Sequence, residues 1–127
     1  MKALGRGMII DVRLDPTVGS ETGKTRPCII VTNDIYNERV PVIQVVPVTA
    51  WSSKKALITT NVEIDPAREN GLAKKSIADC LQTRPIDRRH RFVKIRGILS
   101  SEKIAEINRA LKTVFALGET IGSYLHD

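Results

Sequence analysis

The sequence predicts a mainly β, α+β fold: a small curled β-barrel of five to seven strands with one long C-terminal helix packed on it. Three observations carry this prediction. Short apolar runs rich in β-branched residues follow one another through most of the chain. The connections between them are short and rich in Pro, Gly, Ser and Thr, which suits antiparallel neighbours. Near residue 100 the apolar pattern changes once, to the 3.6-residue period of an amphipathic helix. A chain of 127 residues suits a single domain, 1–127.

Taken in order, residues 8–14 (MIIDVRL) read as the first strand. Residues 15–25 (DPTVGSETGKT) are a loop by composition. Residues 27–32 (PCIIVT) form a continuous apolar run, as a buried strand does, and 33–39 read as a helical turn or irregular connection. Residues 42–48 (VIQVVPV) are a further strand that Pro47 should end, bulge or confine to an edge. A polar, basic loop at 49–55 (TAWSSKK) leads to an alternating strand at 56–63, then a connection over 64–75. Strands at 76–83 (SIADCLQT) and 92–99 (FVKIRGIL) follow. The segment 100–117 is helical, with Ile104, Ile107, Leu111, Val114 and Phe115 on one stripe. Ser100 or Ser101 can cap its N-terminus, Glu102 suits its first turn, and Gly118 is placed to stop it.

Composition narrows the function classes. Hydrophobic residues make up 42% and charged residues 27%, as in ordinary globular proteins and unlike disordered ones. Lys and Arg number 20 against 14 Asp and Glu, a formal charge of +6. Such an excess favours polyanionic partners (nucleic acid, an acidic membrane surface, an acidic protein), or simply aids solubility. Cys28 and Cys80 both sit inside apolar stretches, the pattern of buried free thiols and not of a disulfide framework. With no C-x-x-C and only two His, no metal site is expected, and reduced thiols fit a cytoplasmic setting. No apolar run reaches membrane length and no signal-peptide layout opens the chain, so no membrane partner is expected.

Specific motifs go further. Gly5-Arg6-Gly7 precedes the first strand; Leu14-Asp15-Pro16-Thr17, Gly19-Ser20-Glu21 and Arg26-Pro27 follow in order, leading into Cys28-Ile29-Ile30-Val31-Thr32-Asn33. This series resembles the N-terminal signature of the MazF/PemK toxins. Three further blocks keep that family's order: Val46-Pro47-Val48-Thr49, Ser76-Ile77 through Gln82-Thr83-Arg84, and Gly97-Ile98-Leu99-Ser100. The resemblance runs from Gly5 to about Leu117, and the first block is the specific one. Two positions depart from the family pattern: Met8 and Leu81 stand where it usually carries acidic residues.

The resemblance implies an SH3-like, CcdB-type barrel and a type II toxin that cuts single-stranded RNA at specific sequences without metal or other cofactor. The ribose 2′-OH attacks the adjacent phosphorus, leaving a 2′,3′-cyclic phosphate and a 5′-OH. It also implies a homodimer, neutralisation by an acidic antitoxin peptide and DNA binding as the antitoxin complex. Arg26 matches the family's catalytic arginine; its fork of donors suits phosphorane charge, but an arginine stays protonated and makes a poor base. Thr49 matches the catalytic Ser/Thr, whose hydroxyl can hold the scissile phosphate in line. Glu21, in the loop before Arg26, could orient the guanidinium, accept a proton or be an ordinary loop carboxylate.

RNA-contact candidates are Gln82, which matches a family position for reading bases, Trp51 with Lys54 and Lys55 as a stacking platform, Ser76, and Arg84. A Trp packed on the barrel or at a dimer contact is the competing reading for Trp51. His90 lies in the charged segment Asp87-Arg88-Arg89-His90-Arg91, matches no catalytic position and reads as solvated; no residue stands out as the general base. Two alternatives remain open at this point: a CcdB-like gyrase poison that acts by protein contact, and a nucleic-acid-binding barrel without catalysis.

Overall fold

In a computed structural model that describes residues 3–119, seven strands form one curved antiparallel sheet, followed by a single long helix. The strands are β1 (Met8–Arg13), β2 (Thr25–Ile30), β3 (Val42–Ala50), β4 (Asn61–Ile64), β5 (Ser76–Asp79), β6 (Arg84–Asp87) and β7 (Phe92–Ile98). Four-residue helical turns α1 (Asp34–Asn37), α2 (Ser53–Ala56) and α3 (Arg88–Arg91) lie between them, and α4 (Ser101–Phe115) ends the fold. The sheet order is β4-β5-β3-β2-β1-β7, with β6 also on β3. Pairing does not run on from β7 to β4, so the sheet curls without closing into the barrel that the sequence predicts.

The near-continuous apolar runs are explained by burial on both faces. Ile9, Ile29, Val46 and Val48 face one core with Val62, Ile64, Leu72, Cys80 and Leu99. Helix α4 closes that side with Ile107 and Ala110, flanked by Ile104, Leu111 and Val114; Phe115, on the predicted stripe, is exposed. Ile10, Val12, Cys28, Ile30, Ile43 and Val45 face the opposite way, into a second core with Leu4, Leu14 and Ile86. The two cysteines therefore lie in separate cores as free thiols, and burial pushes both up to about 12.

Strand β3 is the hub. It pairs β6 through Val42–Val45 and β5 through Val48–Ala50, and Pro47 falls in the gap between those partners. Val31 N–H donates to the Gln44 carbonyl at 3.0 Å, which makes Ile29/Val46 a hydrogen-bonded pair and Cys28/Pro47 a non-bonded one. The Pro47 nitrogen thus faces away from β2, where its missing proton breaks no ladder bond. The strand passes through Pro47 and ends only at Ala50, so Thr49 stands on a strand and not in a loop.

Other boundaries also differ from the sequence prediction. Ser52 caps α2 by accepting the Lys55 N–H at 3.1 Å, and Asn61 Nδ2 donates to the Lys55 carbonyl at 3.0 Å; β4 therefore starts at Asn61, not at residue 56. Strand β5 ends at Asp79, where the chain tightens into a 3-10 turn, Cys80–Gln82, closed by Thr83 N–H to the Cys80 carbonyl. The unpredicted β6 is a strand because Arg84–Asp87 finds β3 beside it, a partner that local composition does not announce. Ser100 does cap α4, accepting the Lys103 N–H at 3.2 Å. The helix stops at Ala116, left-handed at φ 53°, before Gly118: Leu117 N–H reaches the Lys112 carbonyl and Ala116 N–H the Thr113 carbonyl.

Candidate active site and RNA interface

Arg26 and Thr49 come together because β2 and β3 are adjacent and β5 covers the far end of β3. They line one cleft of about 170 Å³ with Ser76, Lys74, Leu72 and Arg96. Arg26 Nε donates to the Gly23 carbonyl at 3.2 Å, which ties the guanidinium stem to the end of the 15–25 loop. Thr49 pairs with Ile77 of β5, and its Oγ1 accepts from Lys55 Nζ at 3.3 Å. Lys55 Nζ also donates to the Ala50 carbonyl at 3.2 Å. An ammonium has donors only, so it occupies a lone pair of the Thr49 oxygen and leaves the hydroxyl proton free to donate. Lys55, grouped with Trp51 in the sequence reading, is thus a neighbour of Thr49. The signal available was its place six residues on, across a turn, and it needed α2 to become visible.

Ser76 is buried and donates from Oγ to the Lys74 carbonyl at 2.8 Å, shaping the cleft wall with a hydroxyl already engaged. Among the described residues, none of the side chains lining the cleft is acidic. Behind Arg96 stands Asp11, 7% exposed, whose Oδ1 accepts from Arg96 Nε at 2.6 Å. Sequence reasoning passed over both residues. A carboxylate flanked by apolar residues on a strand was the available signal, since burial of such a group requires a partner.

The other predicted residues surround the cleft at different distances from its chemistry. Glu21 does not meet Arg26: its Oε1 accepts the Val18 N–H at 2.8 Å and shapes the loop. Gln82 lies on the 3-10 turn, not on a strand, and its amide spans the same loop, accepting from Thr22 N–H at 3.3 Å and donating to the Ser20 carbonyl at 3.2 Å. Arg84 Nη1 donates to the Leu14 carbonyl at 3.1 Å, and Arg91 Nη1 to the Arg13 and Asp15 carbonyls at 2.8 Å each. Arg84 and Arg91 therefore anchor the start of the 15–25 loop, and Arg88 beside them is buried.

Trp51 is part exposed; its indole N–H donates to Glu63 Oε1, and Lys75 Nζ stands 4.6 Å over the ring. Lys75 also pairs with Glu63 at 3.9 Å, so the Trp edge is held by an ion pair while Lys54 projects from α2, exposed. His90 is exposed, with Nδ1 at 2.9 Å from Asp87 Oδ1; its hydrogen bonds hold the Asp87 carboxyl below the usual range. It lies on α3, away from the cleft lining.

The arrangement can bind and polarise a phosphodiester: a guanidinium from one strand and a hydroxyl donor from the next share a cationic cleft of small volume. Comparison with known proteins agrees in chemistry and in shape. Residues 5–115 match the family model described as PemK-like, MazF-like toxin of type II toxin-antitoxin system. Endoribonuclease EndoA of Bacillus subtilis strain 168 is 37% identical over 112 residues, covering 88% of this chain and 94% of the relative. Endoribonuclease MazF of Staphylococcus saprophyticus is 34% identical over 119 residues, 94% of this chain and 96% of the relative. The crystal structure of MazF from Deinococcus radiodurans superposes with a TM-score of 0.79 at 20% identity, over 92% of this chain and 100% of that one. A mycobacterial endoribonuclease in complex with its cognate antitoxin superposes with a TM-score of 0.72 at 19% identity, over 93% and 100%.

Proposed function

The chain belongs to the PemK-like, MazF-like toxin family of type II toxin-antitoxin systems, and from that premise we propose that it is an endoribonuclease cutting single-stranded RNA at specific sequences. The observation that carries the reading is the cleft in which Arg26 and Thr49 meet from neighbouring strands. In the reaction the 2′-oxygen bonds to phosphorus while the bond to O5′ breaks, giving a 2′,3′-cyclic phosphate and a 5′-OH. One proton leaves the 2′-OH and one reaches O5′. Arg26 donates to the non-bridging oxygens, where negative charge grows in the phosphorane; it stays protonated throughout and acts by electrostatics. Thr49 donates its free hydroxyl proton to a phosphate oxygen and holds the group in line. Glu21, with its carboxylate on the Val18 N–H, sets the loop that carries the Arg26 anchor.

Around the cleft, Trp51, Lys54, Gln82 and Arg84 form the approach for flanking nucleotides. Trp51 offers a half-open ring face, Lys54 an exposed charge, and Gln82 and Arg84 the loop they hold. The whole chain, 1–127, acts as one toxin domain, as a homodimer, in the cytoplasm. Among the described residues no helix is long and apolar enough to cross a membrane. An acidic antitoxin peptide neutralises it; a net charge of +6 favours fast capture of such a partner.

The test is incubation of the purified protein with mixed-sequence single-stranded RNA in EDTA, followed by end-group analysis. Cuts at a short motif with cyclic-phosphate and 5′-OH ends are expected, falling about 100-fold or more in folded Arg26→Ala. No cleavage by a folded, antitoxin-free protein would overturn the reading in favour of a gyrase poison or a non-catalytic binding protein.

A further inference from the structure

The cleft holds a second guanidinium that the roles above leave unused. Resting on the ribonuclease reading, we infer that Arg96 is a phosphate-binding residue, donating to a non-bridging oxygen of the RNA backbone beside Arg26. Arg96 lies on β7 and lines the same cleft as Arg26 and Thr49. Its Nε donates to Asp11 Oδ1 at 2.6 Å and its Nη1 to the Gly71 carbonyl at 3.0 Å. These two bonds fix the plane of the guanidinium. Among the described residues Nη2 has no hydrogen-bond partner, and the side chain remains 30% exposed.

The surroundings are built to hold that plane. Asp11 sits on β1 between its register partners Pro27 and Lys94, and Lys94 Nζ stands 4.0 Å from its other oxygen. A carboxylate buried there carries a desolvation penalty that an apolar pair would not. What the ion pair supplies in return is a cation with a fixed orientation at the cleft wall. The backbone cooperates. A Cβ on Gly71, at φ +68°, would stand 2.4 Å from the Arg96 carbonyl oxygen, and one on Gly97 would stand 2.2 Å from that of Glu69. Glycine at both positions lets the turn around residue 71 seat against β7, and Ile98 N–H bonds the Glu69 carbonyl at 2.8 Å. That seating brings the Gly71 carbonyl to Arg96, and Leu72 and Lys74 to the cleft. A two-armed donor with one arm fixed on protein and the other open matches a tetrahedral oxyanion better than a neutral ligand.

The test uses a short single-stranded oligonucleotide carrying the motif that the wild-type protein cuts, with 2′-deoxyribose at the cut position to block cleavage. Binding is followed by fluorescence anisotropy across a salt series. Arg96→Gln is expected to weaken binding about tenfold or more and to lower the slope of log affinity against log salt by about 0.7, one phosphate contact. Arg96→Lys keeps a charge for Asp11 but cannot hold Asp11 and a phosphate at once, so it too should bind more weakly. If Arg96→Gln fails to fold, the lysine variant decides. Wild-type affinity and salt slope in a folded variant would overturn the inference and leave Arg96 a purely structural residue. Failure of the wild-type protein to cut any RNA would instead strike the ribonuclease reading itself.

Discussion

Thr49 shows how much of the site depends on single hydrogen bonds. Its hydroxyl proton is steered outward when a donor already engages one of the oxygen's lone pairs, and Lys55 Nζ at 3.3 Å does this. Replacing Lys55 by Met should lower the turnover of RNA cleavage about tenfold, the worth of one charge-assisted hydrogen bond. Thr49→Val should cost at least as much, and the double variant no more than Thr49→Val alone, because both remove the same oriented donor. Fully additive losses in single-turnover kinetics would show that Lys55 acts independently of Thr49. At this scale the sequence was legible for Arg26 and Thr49, which lie in recognisable motifs. It was not legible for Asp11, Lys55 and Arg96, whose partners stand on other elements. The same limit applies to Gln82 and Arg84: residue type marks them as donors, and only the fold shows that both bond the 15–25 loop.

Among the elements, α4 has the clearest local logic. Its apolar stripe, a cap at Ser100 or Ser101 and first-turn Glu102 can be read from the chain; the structure places the cap on Ser100 and packs the stripe on the core except at Phe115. Its end cannot be read so, because Ala116 adopts the left-handed conformation that the composition assigns to Gly118. Ala116→Gly should therefore stabilise the protein by about 0.5–1 kcal/mol, the relief of a left-handed alanine less the added chain entropy. Ser100→Ala should destabilise it by about 1 kcal/mol through loss of the bond to Lys103 N–H. Urea unfolding checks both; an unchanged or lower midpoint in Ala116→Gly would argue against the strain. Strand β3 shows the opposite case. Local rules place a break at Pro47, but a change of partner strand at that point makes the proline harmless.

For the molecule as a whole, the doubly buried sheet has a pH signature. Cys28 and Cys80 ionise near 9 when unfolded and at about 12 when folded, because burial penalises the thiolate. A raised folded value means that the thiol contribution is fully present below pH 9 and is lost as pH rises toward 12. In the lower part of that window each thiol should reduce stability by about 1 kcal/mol per pH unit. Denaturant titrations from about pH 8 to about pH 11 should show a steeper decline in the wild type than in a Cys28→Ala/Cys80→Ala variant. Parallel declines would place the thiols in contact with solvent.

The sequence by itself determined the class of fold, the strand-rich body with its terminal helix and the burial of both thiols, and its family motifs pointed to Arg26 and Thr49, which line one cleft. These depend on local periodicity, on residue type and on short contiguous motifs, all of which act within a few positions along the chain. The tertiary structure alone decided that the sheet stays open, that Arg84–Asp87 pairs as a strand, that Gln82 bonds the loop, and that Asp11 stands behind Arg96. Each of these is a pairing between distant segments. A strand edge, a buried carboxylate or an amide has no preference of its own for one remote partner, and the choice is made only when packing brings the two together and excludes water as the alternative.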